Sequence, residues 1–321
     1  MPKKHFKEIL IRNFSNYFLK SINAKVFLLH RVGLKDPSRL EANENLKVSP
    51  VLLEKFIVSL INEGVKFVSL DQLYFDLNNN LSLKNKVAFT FDDGYLDNFE
   101  IALPIFKKYN VPFSIFVTPA FVDGEKVIWW YLLEDLILNY TSISFNNTII
   151  DLSSLELKNS AFIFLREYLL NNIDSNNTAE EIISRIFDCS EFDIYYYSSS
   201  FVMPWQTLRY LSNYEPLVTL GGHTFSHLPL SNLRSDLMEE EVNFGNFNLS
   251  INIDSSVKYF AYPFGSKFEC GDREFSLLNN TSINMSFTTR NGSVSFLHKY
   301  CKESLPRIEL TDILINSLTN K

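Results

Sequence analysis

Cysteine is scarce in this chain. Cys189, Cys270 and Cys301 are the three cysteines in 321 residues; they lie far apart, are odd in number and show no C-x-x-C spacing. That excludes a disulfide framework and a thiolate zinc site, and it leads us to expect a reducing, cytoplasmic setting. Positive charge is also short: 30 Lys and Arg face 37 Asp and Glu, for a net charge of -7. No global cationic field draws such a chain to nucleic acid, so no nucleic-acid partner is expected. Long apolar runs are missing as well. The longest, Val127 to Leu138, is broken by Glu134 and Asp135 and falls short of the roughly 20 apolar residues that a spanning helix needs. The first 20 residues contain Lys3, Lys4, Lys7 and Arg12 but no unbroken apolar stretch, so no secretory signal is read there. Their Phe6, Ile9, Phe14 and Tyr17 recur at helical spacing, which suits a helix docked on the domain or a weak membrane-surface contact through residues 1–20; the first is the reading adopted. What is plentiful is apolar and aromatic: 46% hydrophobic residues with 29 Phe and 15 Tyr. That is enough for a large core and for ring surfaces on which flat or cyclic ligands pack.

Short β-type runs alternate with helix-period segments, the pattern of parallel βα units. Strands are predicted at Val26–Leu29, Val65–Leu70, Lys86–Phe91, Pro112–Val117, Leu217–Leu220, Val257–Tyr262 and Met285–Thr289. Ser49-Pro50 opens a helix that Gly64 stops, and Asp97–Tyr109 is helical around a disruptive Pro104. From 124 to 200 the character changes to helical patterns, near Leu155–Leu170 and Thr178–Asp188, set in Asn- and Ser-rich linkers. This reads as a helical insertion in one domain spanning 1–321.

Two motifs carry chemistry. In Phe89-Thr90-Phe91-Asp92-Asp93-Gly94-Tyr95 two adjacent carboxylates stand where a buried strand gives way to a turn. Burying two like charges together is costly unless a cation or a division of roles relieves them, and both reach one site only if the chain turns at Gly94. In Gly221-Gly222-His223-Thr224-Phe225-Ser226-His227 two of the five histidines sit at i and i+4, a spacing that puts both imidazoles on one side of a helical turn. One Asp with two His makes a facial triad that leaves positions open for water and substrate. A phosphoryl-accepting Asp is disfavoured, because that chemistry wants its second Asp two positions on, and no G-x-S-x-G elbow marks a serine hydrolase.

These residues resemble a known family. Thr-Phe-Asp-Asp-Gly-Tyr followed by Gly-His-Thr-x-Ser-His is similar to the first two motifs of the polysaccharide deacetylase family, the NodB-homology or chitooligosaccharide deacetylase-like group. Leu29-His30-Arg31-Val32, the Trp129-Trp130 pair, Met203-Pro204-Trp205, Phe260-Ala261-Tyr262-Pro263-Phe264-Gly265 and Leu305-Pro306-Arg307-Ile308 fit as well. The resemblance implies a deformed, incomplete (β/α) barrel with its site at the C-terminal strand ends. It implies Asp92 as general base and Asp93, His223 and His227 as ligands of a divalent metal. Zn2+ is the expected ion, and Co2+, Ni2+, Mn2+ and Fe2+ suit the same donors. The expected substrate is an acetylated glycan or glycan precursor, met by Tyr262, Pro263, Phe264, Arg307 and Trp205. Related readings are deformylation of a lipid-linked amino sugar and an inactive carbohydrate-binding barrel.

The chain departs from the family at its third motif, where the Arg that orients the base is replaced by Ala261 and a Tyr by Phe264. The oxyanion contact implied there comes from a backbone N–H, which Phe264 retains. We expect Arg31 or Arg307 to supply the missing guanidinium. For the general acid, His30 at the end of the first strand is preferred over His298 in Phe296-Leu297-His298.

Overall fold

The computed structural model describes residues 22–189 and 191–319; the expected helix over residues 1–20 lies outside them. The strands are β1 (Lys25–Leu29), β2 (Arg31–Val32), β3 (Lys47–Val48), β4 (Lys66–Phe67), β5 (Lys86–Phe91), β6 (Phe113–Val117), β7 (Ser142–Phe145), β8 (Thr148–Asp151), β9 (Val218–Gly222), β10 (Tyr259–Ala261), β11 (Met285–Asn291) and β12 (Leu305–Glu309). Seven of them close a parallel ring in the order β1-β12-β11-β10-β9-β6-β5, with β5 returning to β1 and β4 pairing with the start of β5. The expected (β/α) barrel is therefore present, and it closes with one strand fewer than the usual eight. Because helices cover its outside and side chains fill its inside, β1 and β6 are buried at every residue.

Much of the Phe content goes into this shell. Phe27, Phe56, Phe89, Phe106 and Phe113 pack between strands and helices, with ring centroids 5.1 Å apart for Phe27–Phe56 and 4.6 Å for Phe106–Phe113. Edge and offset contacts of this kind add to the burial of apolar area. A large share of the Phe is thus core, while Phe75, Phe164, Phe244, Phe247, Phe268 and Phe296 are exposed.

Three local readings are corrected by backbone chemistry. The strand expected over Val65–Leu70 is only Lys66–Phe67, because Ser69 caps a helix that begins at Leu70, its hydroxyl accepting from Gln72 N at 3.1 Å. Around Pro104 the helix divides into a π-turn, Asn98–Ala102, and an α-helix, Leu103–Lys108, since the proline supplies no N–H to a regular ladder. The excursion between β6 and β9 is mixed: it carries helices Trp129–Asn139, Leu155–Asn172, Ala179–Phe187 and Ile194–Ser199 together with the antiparallel β7–β8 hairpin. The capping box predicted at Thr178 and Glu181 is formed, with both reciprocal hydrogen bonds. Among the described residues no helix is long and apolar enough to cross a membrane.

Candidate active site

Where β5 ends, Asp93 and Gly94 both take left-handed backbone conformations, with φ of 73° and 71°. Gly94 adopts this freely and Asp93 at some cost. The turn brings two adjacent carboxylates to one place although an extended strand would send them to opposite faces. Both are buried, at 2% and 3% exposure.

Asp92 is held by Arg307. The guanidinium, fully buried on β12, donates from Nη1 to Oδ1 and from Nη2 to Oδ2 of Asp92, each at 2.7 Å. Its remaining donors go to Thr90 Oγ1 at 3.2 Å and the Thr288 carbonyl at 3.0 Å. Burial pushes the Asp92 carboxyl up, but Arg307 and then His223 outweigh it and hold the group below the usual carboxylate range. Of the two arginines expected to compensate for Ala261, Arg307 makes the contact. Arg31 instead donates to Asp97 at 2.7 Å and to the Tyr131 hydroxyl at 2.8 Å. Arg307 was also expected to bind substrate; fully buried behind Asp92, it faces the carboxylate and not the open pocket.

Asp93 faces the two histidines. Its Oδ1 is 3.1 Å from His227 Nε2 and 3.4 Å from His223 Nε2, yet it is a buried oxygen with no hydrogen bond. The imidazoles pull its carboxyl well below the usual range against the opposing push of burial. His223 Nδ1 donates to the Ala261 carbonyl at 2.7 Å, which fixes the tautomer and leaves the Nε2 lone pair toward Asp93. Burial lowers the His227 pKa, favouring the neutral, ligating imidazole. One donor atom from each of Asp93, His223 and His227 lies within 4.8 Å of the others. An orphaned, charged oxygen facing two imidazole nitrogens fits a divalent cation of the Zn2+ type.

The two histidines are not on a helical turn, as their spacing suggested. Residues 223–227 form a loop after β9, with Thr224 at φ 60° and His227 at φ 59°, and the Thr224 hydroxyl accepting from His227 N at 2.9 Å. The loop is pinned from behind by the helix Ser235–Ile253: Glu241 takes the N–H of Ser226 at 2.8 Å on its side chain and that of Phe225 at 2.9 Å on its carbonyl. Gly245 makes that approach possible, since a Cβ there would sit 2.6 Å from Phe225 N and 2.7 Å from the Thr224 carbonyl carbon.

These groups form the floor of a pocket of about 600 Å³ at the C-terminal strand ends, also lined by His30, Trp130 and Phe264. His227 stands among rings, 5.1 Å from Trp130 and 4.8 Å from Phe264. His30 lies close enough to act electrostatically on both Asp92 and Asp93, and Asn98 Nδ2 fixes its carbonyl at 2.9 Å. His298 is elsewhere, its Nδ1 accepting from Ser295 N at 2.9 Å within a 3-10 turn.

Besides Arg307, three residues expected at the substrate are not brought to this pocket. Trp205 packs against the barrel core and donates to Asp123 at 2.6 Å. Tyr262 is fully buried with its hydroxyl on the Glu303 carbonyl at 2.8 Å. Pro263, buried beside it, does not line the pocket. Conversely, the excursion helix Leu155–Asn172 supplies a wall that the sequence did not announce, including Phe162, Arg166 and Glu167.

Residues 80–139 match the family model described as polysaccharide deacetylase. Comparison with curated proteins finds no match. The fold is similar to that of the deacetylase PplD of Streptococcus pyogenes, solved in complex with acetate, at 17% identity and a TM-score of 0.61 over 91% of this chain and 93% of that one. It is also similar to IcaB from Ammonifex degensii, at 17% identity and a TM-score of 0.57 over 94% and 97%. A de-N-acetylase from Aggregatibacter actinomycetemcomitans follows at 15% identity and 0.53, over 90% and 95%. What the chain shares with these structures is the fold, a closed parallel (β/α) barrel. Residues 80–139, the segment with Asp92, Asp93 and Trp130, are similar to that family, and over the rest of the chain the likeness to these solved structures is one of fold.

Proposed function

We propose that the protein is a metal-dependent deacetylase that removes acetyl groups, chiefly N-acetyl, from a polysaccharide, an oligosaccharide or a glycan precursor. The observation that carries this reading is the pairing, on one pocket floor, of an Arg-clamped Asp92 with the buried Asp93, His223 and His227 group and its orphaned oxygen. The alternative of an inactive binding barrel rests on Ala261; the contact of Arg307 on β12 with Asp92 supports the active reading.

Asp93, His223 and His227 would hold the metal, which when bound supplies Lewis-acid polarisation of the acyl carbonyl and acidifies water. Asp92, kept ionised and aligned by Arg307, takes the proton of the attacking water as its oxygen bonds to the acyl carbon. The Phe264 N–H donates to no group among the described residues and is free for the developing oxyanion. Phe264 is held at φ 59°, its carbonyl accepting from the Thr289 hydroxyl at 2.6 Å. His30 gives a proton to the leaving nitrogen as the C–N bond breaks, releasing acetate and an amino sugar. Trp130, Phe162 and Phe264 present apolar faces to the acyl group and the sugar.

Acetate release from N-acetylated oligosaccharides tests the reaction; formate from N-formyl sugars alone would reassign the acyl group, and neither product would overturn the reading. Chelation is expected to abolish turnover, with Zn2+ or Co2+ restoring it. Asp93→Asn is expected to lower bound metal well below one ion per chain by elemental analysis, and full metal content in that variant would remove Asp93 from the ligand set. His30→Ala is expected to lower kcat about 10²- to 10⁴-fold, the usual worth of a general acid, while His298→Ala leaves it within about twofold. The reverse result would transfer the role to His298.

A further inference from the structure

One exposed arginine stands at the wall of the pocket. Arg166, on the excursion helix Leu155–Asn172, lines the same pocket as Asp92 and His227. Its Cζ is 6.0 Å from the Phe264 ring centroid, and that ring is 4.8 Å from His227, so the guanidinium stands one ring away from the Asp93, His223 and His227 group. Among the described residues Arg166 is the one arginine without a hydrogen bond. Arg31, Arg39, Arg234, Arg273 and Arg307 each pair with a carboxylate, and Arg185, Arg209 and Arg290 each reach a backbone carbonyl.

Glu167, Glu269 and Glu309 line the same pocket, and none of them forms an ion pair with Arg166. Arg166 is exposed at the pocket wall, and Glu269 and Glu309 act on it through space. Glu269 is already engaged, accepting from Ser266 N at 3.0 Å. The helix beneath Arg166 is anchored by the buried Phe162, Leu165 and Leu169, and Lys158 ties it to the Leu138 carbonyl. A guanidinium is a planar fork of five donors that matches carboxylates and phosphates in a two-pronged fashion, and an aromatic face underneath orients it. Set over the Phe264 ring at the pocket wall, the fork can meet an acceptor on a bound ligand.

We infer that Arg166 recognises an oxyanion, a carboxylate or a phosphate, on the glycan bound in this pocket, so that the enzyme selects anionic over neutral acylated glycans. This rests on the deacetylase reading for the reaction and on Arg166 for the choice of substrate. A two-pronged, charge-assisted pair of this kind is worth about tenfold in kcat/KM.

The test compares N-acetylglucosamine oligomers, which are neutral, with hyaluronan oligosaccharides, which carry a uronate beside each N-acetylglucosamine, and with N-acetylglucosamine 1-phosphate. Acetate release and equilibrium binding are measured for the wild type, Arg166→Gln and Arg166→Lys. The expected result is a wild-type preference of tenfold or more for one of the charged ligands, identifying carboxylate or phosphate. That preference collapses toward one in Arg166→Gln and is partly kept in Arg166→Lys, which retains charge but not the fork. Equal use of neutral and charged ligands by the wild type, or a preference that survives in Arg166→Gln, overturns the inference while leaving the deacetylase reading intact. Binding that discriminates through Arg166 without acyl release from any ligand sinks the deacetylase reading and supports this one.

Discussion

Asp92→Asn is expected to lower kcat for acetate release by about 10³-fold or more, within the range that a positioned general base supplies. The amide keeps the shape of the carboxylate but has no capacity to accept a proton from water near neutral pH. Asp93, His223 and His227 are untouched by the change, so metal content should remain at the wild-type level and KM should move little. A fall in kcat at constant KM is the signature of an interaction made in the transition state. The variant also leaves the fully buried Arg307 without a counter-charge. Some loss of stability therefore accompanies the loss of rate, and activity is to be compared at a temperature where circular dichroism shows the variant folded. Retention of more than about a tenth of wild-type kcat would exclude Asp92 as the base.

What could be read from residues alone was whatever depends on local pattern. The run Lys86–Phe91 is a strand at the predicted bounds, because a β-branched apolar stretch closed by Asp-Asp-Gly has few other ways to fold. Asp93 with His223 and His227 was legible because chemistry restricts which residue types share a buried site. The partner of Asp92 was harder: Arg307 lies 215 residues away, and no spacing rule links β5 to β12. Closing the barrel makes them neighbours, since β1 pairs with β5 on one side and with β12 on the other. The strand Leu305–Glu309 itself escaped a periodicity reading, since it begins Leu-Pro and carries an inward arginine. Trp205 shows the converse error. The resemblance implied a substrate contact for it, whereas its indole donates to Asp123 and it does not line the pocket. Arg166 gave no signal at all, because on the amphipathic helix 155–172 it reads as an ordinary solvated cation.

Arg307→Met is expected to damage both folding and catalysis, and pH separates the two causes. The substitution leaves the Asp92 carboxylate buried with its bidentate partner gone, a loss of about 3–5 kcal/mol for a broken buried pair. In the wild type, burial tends to raise the Asp92 pKa and Arg307, then His223, reverse the shift, so the folded value lies below the unfolded one. Ionised Asp92 therefore adds stability above the unfolded carboxylate pKa, and that contribution is lost as pH falls through the lower, folded value. Without Arg307 the main opposing influence is gone and burial shifts the group upward. The variant should then be most destabilised near neutral pH, and the deficit should shrink toward about pH 4, where Asp92 of the variant has taken up its proton while that of the wild type is still ionised. Urea unfolding at the two pH values measures this directly. The acid limb of kcat/KM should move to higher pH in the same variant, because the base has to ionise before it can act. Arg307→Lys should recover part of the stability and less of the rate, since an ammonium supplies charge but not the fork that aligns both oxygens of Asp92. A deficit that is the same at both pH values, with an unshifted acid limb, would mean that Arg307 serves packing alone and that Asp92 is kept ionised by something else.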